Sequence, residues 1–160
     1  MIAQKLDRVV ACYRIGDPDG GFPIFDPEGS RLQPGRWNAP ETAVIYASLN
    51  YATAMLEKLV HGSGRLPPNQ HYIEITLPTG LSYETVTKDT LPGWQDADQR
   101  TSRSFGAKWM KEGRSAVLFV PSFVARIETN VLINPRHAEF GAIAKSLHVP
   151  VWWDQRLFQP

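Results

Sequence analysis

"TAVIYASLNYATAMLEKLVHGSG", Thr42 to Gly64, changes its period part-way along. Thr42 to Ala47 is β-branched and apolar, the composition of a strand. In the following stretch, Leu49 to His61, Ala52, Met55, Leu56, Leu59 and Val60 recur at helical spacing. Ser48 or Asn50 supplies the N-cap, and Gly62-Ser63-Gly64 stops the helix. A strand therefore runs straight into an amphipathic helix. Glu57 interrupts the pattern, lying about 60° beyond Val60 on the helical wheel, at the edge of the apolar stripe.

The remainder reads mainly as strand. Val9 to Ile15 carries Tyr13 and Arg14 at its end. Asp17 to Pro40 is rich in Gly, Pro and Asp and reads as a long ordered loop or a set of turns. His71 to Leu77 and Leu81 to Val86 are strands around a Pro78-Thr79-Gly80 turn. Asp96 to Lys111 has the pattern of a second helix, closed by Gly113. SAVLFVP, Ser115 to Pro121, is a buried strand, and Phe123 to Ile133 is one more strand or two short ones. Pro135 to Lys145 reads as a short helix or turn, and Val149 to Phe158 as a final strand with two tryptophans. Strands outnumber helices and few connections form βαβ units. The expected class is α+β, a mixed or antiparallel sheet with a few flanking helices.

Composition narrows the function classes. A chain of 160 residues is expected to form one domain, 1–160. With 42% hydrophobic and 21% charged residues it has material for a sizeable core. A formal net charge of +1 provides no strong field toward nucleic acid or a membrane. No apolar run is long enough to span a bilayer, and charges interrupt the first residues too early for a signal peptide, so a cytoplasmic location is expected. The single cysteine, Cys12, excludes an internal disulfide and reads as core packing.

The familiar signatures are missing. There is no GxxxxGK[ST] loop, no GxGxxG after a strand, and no GxSxG elbow. His61, His71, His137 and His148 lack ligand spacing, so no metal site is expected. What remains is a set of polar residues in unexpected places. Arg14 closes an apolar strand, where a buried cation needs a partner. Arg36 sits beside Trp37 in a Gly35-to-Asn38 turn. Ser122 follows the strand SAVLFVP. Each has an ordinary reading: a salt bridge for Arg14, a solvated loop for Arg36, a pairing with Lys58 or His61 for Glu57, a turn cap for Ser122. Taken together with Tyr46, they suit another ligand. Arginines bind phosphate oxygens bidentately, tyrosine offers a face to a flat ring, and one carboxylate stabilises a developing cation. That set matches a dinucleotide with a cleavable glycosidic bond.

The order of these pieces resembles the RES-domain family, toxins of bacterial toxin–antitoxin pairs. The matching segments are "YR" at Tyr13-Arg14, "GRWN" at Gly35 to Asn38, "VIYAS" at Val44 to Ser48, "ATAMLE" ending at Glu57, "VPS" at Val120 to Ser122, and "NVLINPRH" at Asn130 to His137. Arg14, Glu57 and Ser122 fill the Arg, Glu and Ser positions that name the family. Thr87 to Glu112 carries no characteristic segment.

The resemblance implies an ADP-ribosyltransferase-like fold that acts on NAD+ as substrate, with no prosthetic group. It implies cleavage of NAD+ by water or phosphate, or transfer of ADP-ribose to a protein. It also implies an Xre-type antitoxin partner that occludes the active site. In that picture Glu57 supports the oxocarbenium-like ribose, Arg14 and Arg36 hold phosphate charge and orientation, and Arg36 reaches the pyrophosphate or the adenosine side. Trp37 anchors its loop in the core, Tyr46 stacks near the nicotinamide, and Ser122 hydrogen-bonds the ribose or carboxamide. ADP-ribosylating enzymes often carry a glutamate or glutamine two residues before the catalytic glutamate. Met55 stands there, which favours NAD+ depletion over transfer. A non-enzymatic module, for instance one that binds RNA, is disfavoured by the near-neutral charge and the lack of an aromatic-basic stripe.

Overall fold

The computed structural model describes residues 2–65 and 68–160. Its strands are β1 (Gln4–Lys5), β2 (Val10–Gly16), β3 (Ile45–Ser48), β4 (His71–Leu77), β5 (Ser82–Thr85), β6 (Val117–Pro121), β7 (Thr129–Ile133), β8 (Ala144–Lys145) and β9 (Val149–Pro150). The helices are α1 (Glu28–Leu32), α2 (Tyr51–His61) and α3 (Arg100–Glu112). The class is α+β. All the strands join one sheet in the order β1-β5-β6-β7-β3-β2-β4-β8, with β9 also on β4. Every pairing is antiparallel except β5 with β6.

Strand alternation builds the core. Successive side chains of a strand point to opposite faces. Ile45, Ala47, Val117, Phe119, Val131 and Ile133 pack into one apolar cluster. Their alternates Val44, Leu118, Val120 and Leu132 pack into a second with Trp37, Trp94 and Trp109. The middle strands are thus buried on both faces, which is why SAVLFVP reads as a continuous apolar run rather than an alternating one. Cys12 is fully buried in the first cluster, and burial, reinforced by Glu74, pushes its thiol up to about 12.

The two longer helices are placed by their ends. The Asn50 side chain accepts from Ala52 N at 2.9 Å and Thr53 N at 3.4 Å and so starts α2, which lies on β2 and β3. Ser48 belongs to β3 instead, so of the two candidate caps Asn50 is the one used. Helix α3 is bounded by left-handed residues, Gln99 and Gly113, and Gly113 closes it through bonds to Met110 O and Trp109 O. Trp109, fully buried, donates from Nε1 to Ser115 Oγ at 2.8 Å. Beneath α3 the buried Glu84 takes Arg114 Nε at 3.0 Å, which ties β5 to the approach to β6.

Several expected boundaries move, each for a local reason. The strand expected over Thr42 to Ala47 begins only at Ile45, because Glu41 is left-handed and Thr42 N closes a turn on Ala39 O. Of Phe123 to Ile133 only Thr129–Ile133 is strand; Ser122 and Glu128 close a turn across 122–128. The expected final strand, Val149 to Phe158, shrinks to Val149–Pro150, since Asp154 caps a 3₁₀ turn at Gln155–Phe158. The second helix starts at Arg100, not Asp96. The segment Pro135 to Lys145 resolves into a 3₁₀ turn at Phe140–Ala142 followed by β8.

Gly106, in the middle of α3, lies against the chain around Trp37: a Cβ there would sit 1.7 Å from the Trp37 carbonyl oxygen. Gly106→Ala raises helix propensity by about 1 kcal/mol, but the helix or the 34–38 loop must move to admit the methyl group. Overpacking of this kind costs about 1–3 kcal/mol. The variant is expected to melt below the wild type, measured by circular dichroism.

Candidate active site

A cleft of about 650 Å³ opens between α2, the ends of β2 and β3, the 34–38 loop and the turn that follows β6. Arg14, Arg36, Tyr46 and Glu57 all line it, so residues scattered over 44 positions of chain meet in one place. Ser122 is different. It is fully buried beneath the cleft and reaches it only through Glu57.

Glu57 leaves α2 half-buried. Its Oε1 accepts from Ser122 Oγ at 2.9 Å and from Asn130 Nδ2 at 2.7 Å. Among the described residues Oε2 has no hydrogen-bond partner. Neither Lys58 nor the His61 ring pairs with the carboxylate; His61 Nδ1 instead lies 2.7 Å from the Glu57 backbone oxygen. The carboxylate is therefore held on one oxygen and open on the other.

Arg14 spends its bonds on backbone. Nε donates to Ile24 O at 2.6 Å and Nη1 to Tyr46 O at 2.8 Å. Burial lowers its pKa, and nearby Asp26 partly opposes that. The guanidinium thereby fixes the 17–27 segment to β3 while lining the cleft.

The 34–38 loop is tied down from both sides. Tyr46 donates its hydroxyl to Asn38 Oδ1 at 2.6 Å and accepts Trp37 N at 3.2 Å; Asn38 Oδ1 also takes Gly35 N at 2.8 Å. Burial holds the Tyr46 phenol well above its ordinary pKa, so it stays a neutral donor. Gly35 is required here, since a Cβ would come 2.8 Å from the Tyr46 oxygen. From α3, Ser102 Oγ donates to Arg36 O at 2.7 Å and Arg103 Nε to Gly35 O at 3.1 Å. Trp37 is buried and stacks on Trp94 with centroids 6.3 Å apart.

This loop aims Arg36 at the cleft. Its Nη1 donates to Trp94 O at 3.2 Å and Asp96 O at 3.0 Å, and its guanidinium lies 3.9 Å over the Phe123 ring. Burial, then Arg126 and Arg103, lower its pKa; Glu57 works the other way. Lys58 is lowered by burial and by Arg14. Among the described residues no carboxylate lies within 4.0 Å of Arg14, Arg36, Lys58, Arg103 or Arg126, whereas Arg31, Arg114 and Arg156 all have acidic partners. Cations gathered without a salt-bridging carboxylate form a natural seat for an anion. The described residues include no group of three or more His, Cys, Asp or Glu able to hold a metal ion, and no helix long and apolar enough to cross a membrane.

Sequence reasoning found helix α3 but not its part in the site, and it passed over Asn130 and Ser48 as site residues. Asn130 carried a readable signal: in TNVLI it is the polar residue on the same face as Leu132, which packs into the second cluster. Helix α3 carried none, because its part is to support backbone carbonyls, which leave no trace in side-chain pattern.

Comparison with known proteins agrees with the motif order. A family model described as the RES domain matches residues 11–154. The chain belongs to the RES-domain family. It is 41% identical over 138 residues to a protein named Prs ADP-ribosylating toxin from Sphingobium sp. (strain YBL2), spanning 82% of this chain and 84% of the relative. It is 31% identical over 122 residues to Toxin Res of Yersinia enterocolitica, spanning 74% and 80%. Among solved structures, a chain of the M. tuberculosis MbcT-MbcA toxin–antitoxin complex has the same fold. That likeness has a TM-score of 0.71 at 16% identity and covers 92% of this chain and 86% of that one. The curled α+β sheet described above is thus an RES-type fold.

The two bonds of the Tyr46 hydroxyl give a test of its place in this RES domain. Tyr46→Phe keeps the ring but leaves the Trp37 N–H without its partner, at a cost of about 1–3 kcal/mol. Urea denaturation should show that loss; equal stability would mean that the hydroxyl does not hold the loop.

Proposed function

We propose that this RES-domain protein is the toxin of a toxin–antitoxin pair and cleaves the nicotinamide–ribose bond of NAD+, depleting it with water or phosphate as acceptor. The observation that carries this reading is Glu57. A carboxylate held on one oxygen and open on the other lines a cleft together with Arg14, Arg36 and Lys58, none of them salt-bridged among the described residues. Relatives named as toxins support the biological role, and the MbcT-MbcA complex supports an antitoxin partner. The motif resemblance points to the Xre type. Such a toxin would act in the cytoplasm, on NAD+ as a substrate rather than a resident cofactor.

The chemistry needs little more than positioning. The C1′–N bond breaks with its electron pair moving onto the pyridinium nitrogen, so nicotinamide departs neutral and no strong acid is required. Positive charge grows on the ribose. The open Glu57 oxygen lies opposite that charge or accepts from the ribose hydroxyls, and stabilises it as carboxylates do in glycosidases. The acceptor oxygen then adds to C1′, and a water acceptor releases its proton. Arg14 and Arg36 hold the pyrophosphate and its orientation, with Lys58 adding charge. Tyr46 contributes its ring to the wall of the nicotinamide end and its hydroxyl to the loop that bears Arg36. Ser122 acts on Glu57, a role its burial favours over direct contact with ribose or carboxamide.

A second reading, transfer of ADP-ribose to a protein, is favoured by the 41% identical relative whose name assigns it ADP-ribosylation. Both readings share the first bond cleavage and differ in the acceptor. Incubation with NAD+ labelled in the adenosine, with and without phosphate and cell extract, separates them: free ADP-ribose or its 1-phosphate in one case, labelled protein in the other. Absence of nicotinamide release under all conditions would overturn both.

Glu57→Gln keeps volume and helix propensity while removing the charge. Single-turnover nicotinamide release is expected to fall by orders of magnitude, since one such electrostatic contact contributes about 3–4 kcal/mol. The melting temperature should change little, and NAD+ binding should survive. Arg36→Lys has the opposite profile. Lysine loses the planar fork, so NAD+ binding by calorimetry should weaken by about 1.5–3 kcal/mol.

A further inference from the structure

We infer that Asn130 is a positioning residue for the reaction: with Ser48 behind it, it fixes which Glu57 oxygen faces the substrate. This rests on the assignment of Glu57 as the reacting carboxylate. Three strands set up the arrangement. Tyr13 pairs with Ser48 across β2 and β3, and Ser48 pairs with Asn130 across β3 and β7. In that row Ser48 Oγ donates to Asn130 Oδ1 at 2.7 Å. The hydroxyl thereby orients the amide, because a side-chain amide has one acceptor end and one donor end. With Oδ1 turned to Ser48, Nδ2 is presented to Glu57 Oε1 at 2.7 Å.

Ser122 shares the same oxygen from the opposite strand end, at 2.9 Å. Two donors on Oε1 restrict rotation of the carboxylate and leave Oε2 toward the cleft. An unheld glutamate on a helix edge has freedom in three side-chain torsions, and a reacting group displaced by 1 Å loses much of its effect. Asn130, itself on the cleft wall, supplies that restriction through its bond to Glu57 Oε1. Ser122 does the same from below, and its hydroxyl is itself oriented by Ala125 N at 3.1 Å.

The test is a double-mutant cycle. Asn130→Leu, close in shape but without a donor, should lower single-turnover nicotinamide release by up to about 100-fold, the loss a reacting group suffers when misplaced by about 1 Å. NAD+ affinity should be unchanged. In a Glu57→Gln background the same substitution should produce no further loss, because residues that act as a unit are not additive. Asn130→Asp, isosteric and more tolerant of the polar setting, provides a second arm; it should lose at least as much, since it turns a donor toward Glu57 into an acceptor. Ser48→Ala should give a smaller loss, by freeing the amide to rotate. Near-normal release from folded Asn130→Leu or Asn130→Asp would overturn the inference, as would an equal loss in the Glu57→Gln background or a rise in KM at constant kcat. Full release from Glu57→Gln alone would instead overturn the assignment of Glu57, which keeps the two failures distinct.

Discussion

A half-buried carboxylate on the edge of a helix is the constraint around which this molecule is arranged. Glu57 must be solvated by protein on one side if it is to face a ligand on the other. The donors that do this come from the end of β6 and the start of β7, and the second of them is oriented from β3. The strand order β6-β7-β3-β2 is what brings those donors beneath α2. Shifting any of these pairings by one residue would turn Asn130 or Ser48 to the opposite face. The apolar alternation that builds the two core clusters therefore also sets the register of the polar row.

The second wall of the cleft is built differently. The 34–38 loop contains no regular structure, yet it is bound by side chains to β3 and by backbone carbonyls to α3. Its rigidity comes from satisfied polar groups and from two places where glycine admits close approach, Gly35 beside Tyr46 and Gly106 beside Trp37. Arg36 is aimed by this frame and by the carbonyls of Trp94 and Asp96. The long span between β2 and β3 is thus ordered, through α1 and through the bonds that hold the 34–38 loop.

Much of this was legible in the chain. The strand-to-helix switch at Ser48–Asn50, the stop at Gly62 and the buried run before Ser122 follow from local rules of capping, breaking and alternation. Arg14, Arg36, Tyr46 and Glu57 stood out because each is polar where the pattern called for apolar or plain loop, and the fold brings all of them to one cleft. The rest depended on distance along the chain. Nothing local indicates that Ser122 lies under Glu57 rather than beside a substrate, or that Asn130 shares its oxygen. The same limit hid the bonds from α3 to the 34–38 loop, which go to backbone. Boundaries failed where one side chain redirected the chain, as at Glu41, Ser122 and Asp154.

The contacts that complete Glu57 span 65 and 73 residues of sequence, and those that seat Arg36 span 58 and 60. Contacts of such separation carry a large loop-closure cost, and none can form before both partners have been made. During synthesis, Glu57 emerges long before Ser122 and Asn130 exist. Every nascent or prematurely ended chain shorter than that carries the carboxylate without its donors and half of the sheet without its neighbour. For the proposed reaction, chain order thus makes the carboxylate before the donors that orient it, and the complete constellation exists only once the chain has extended past Asn130.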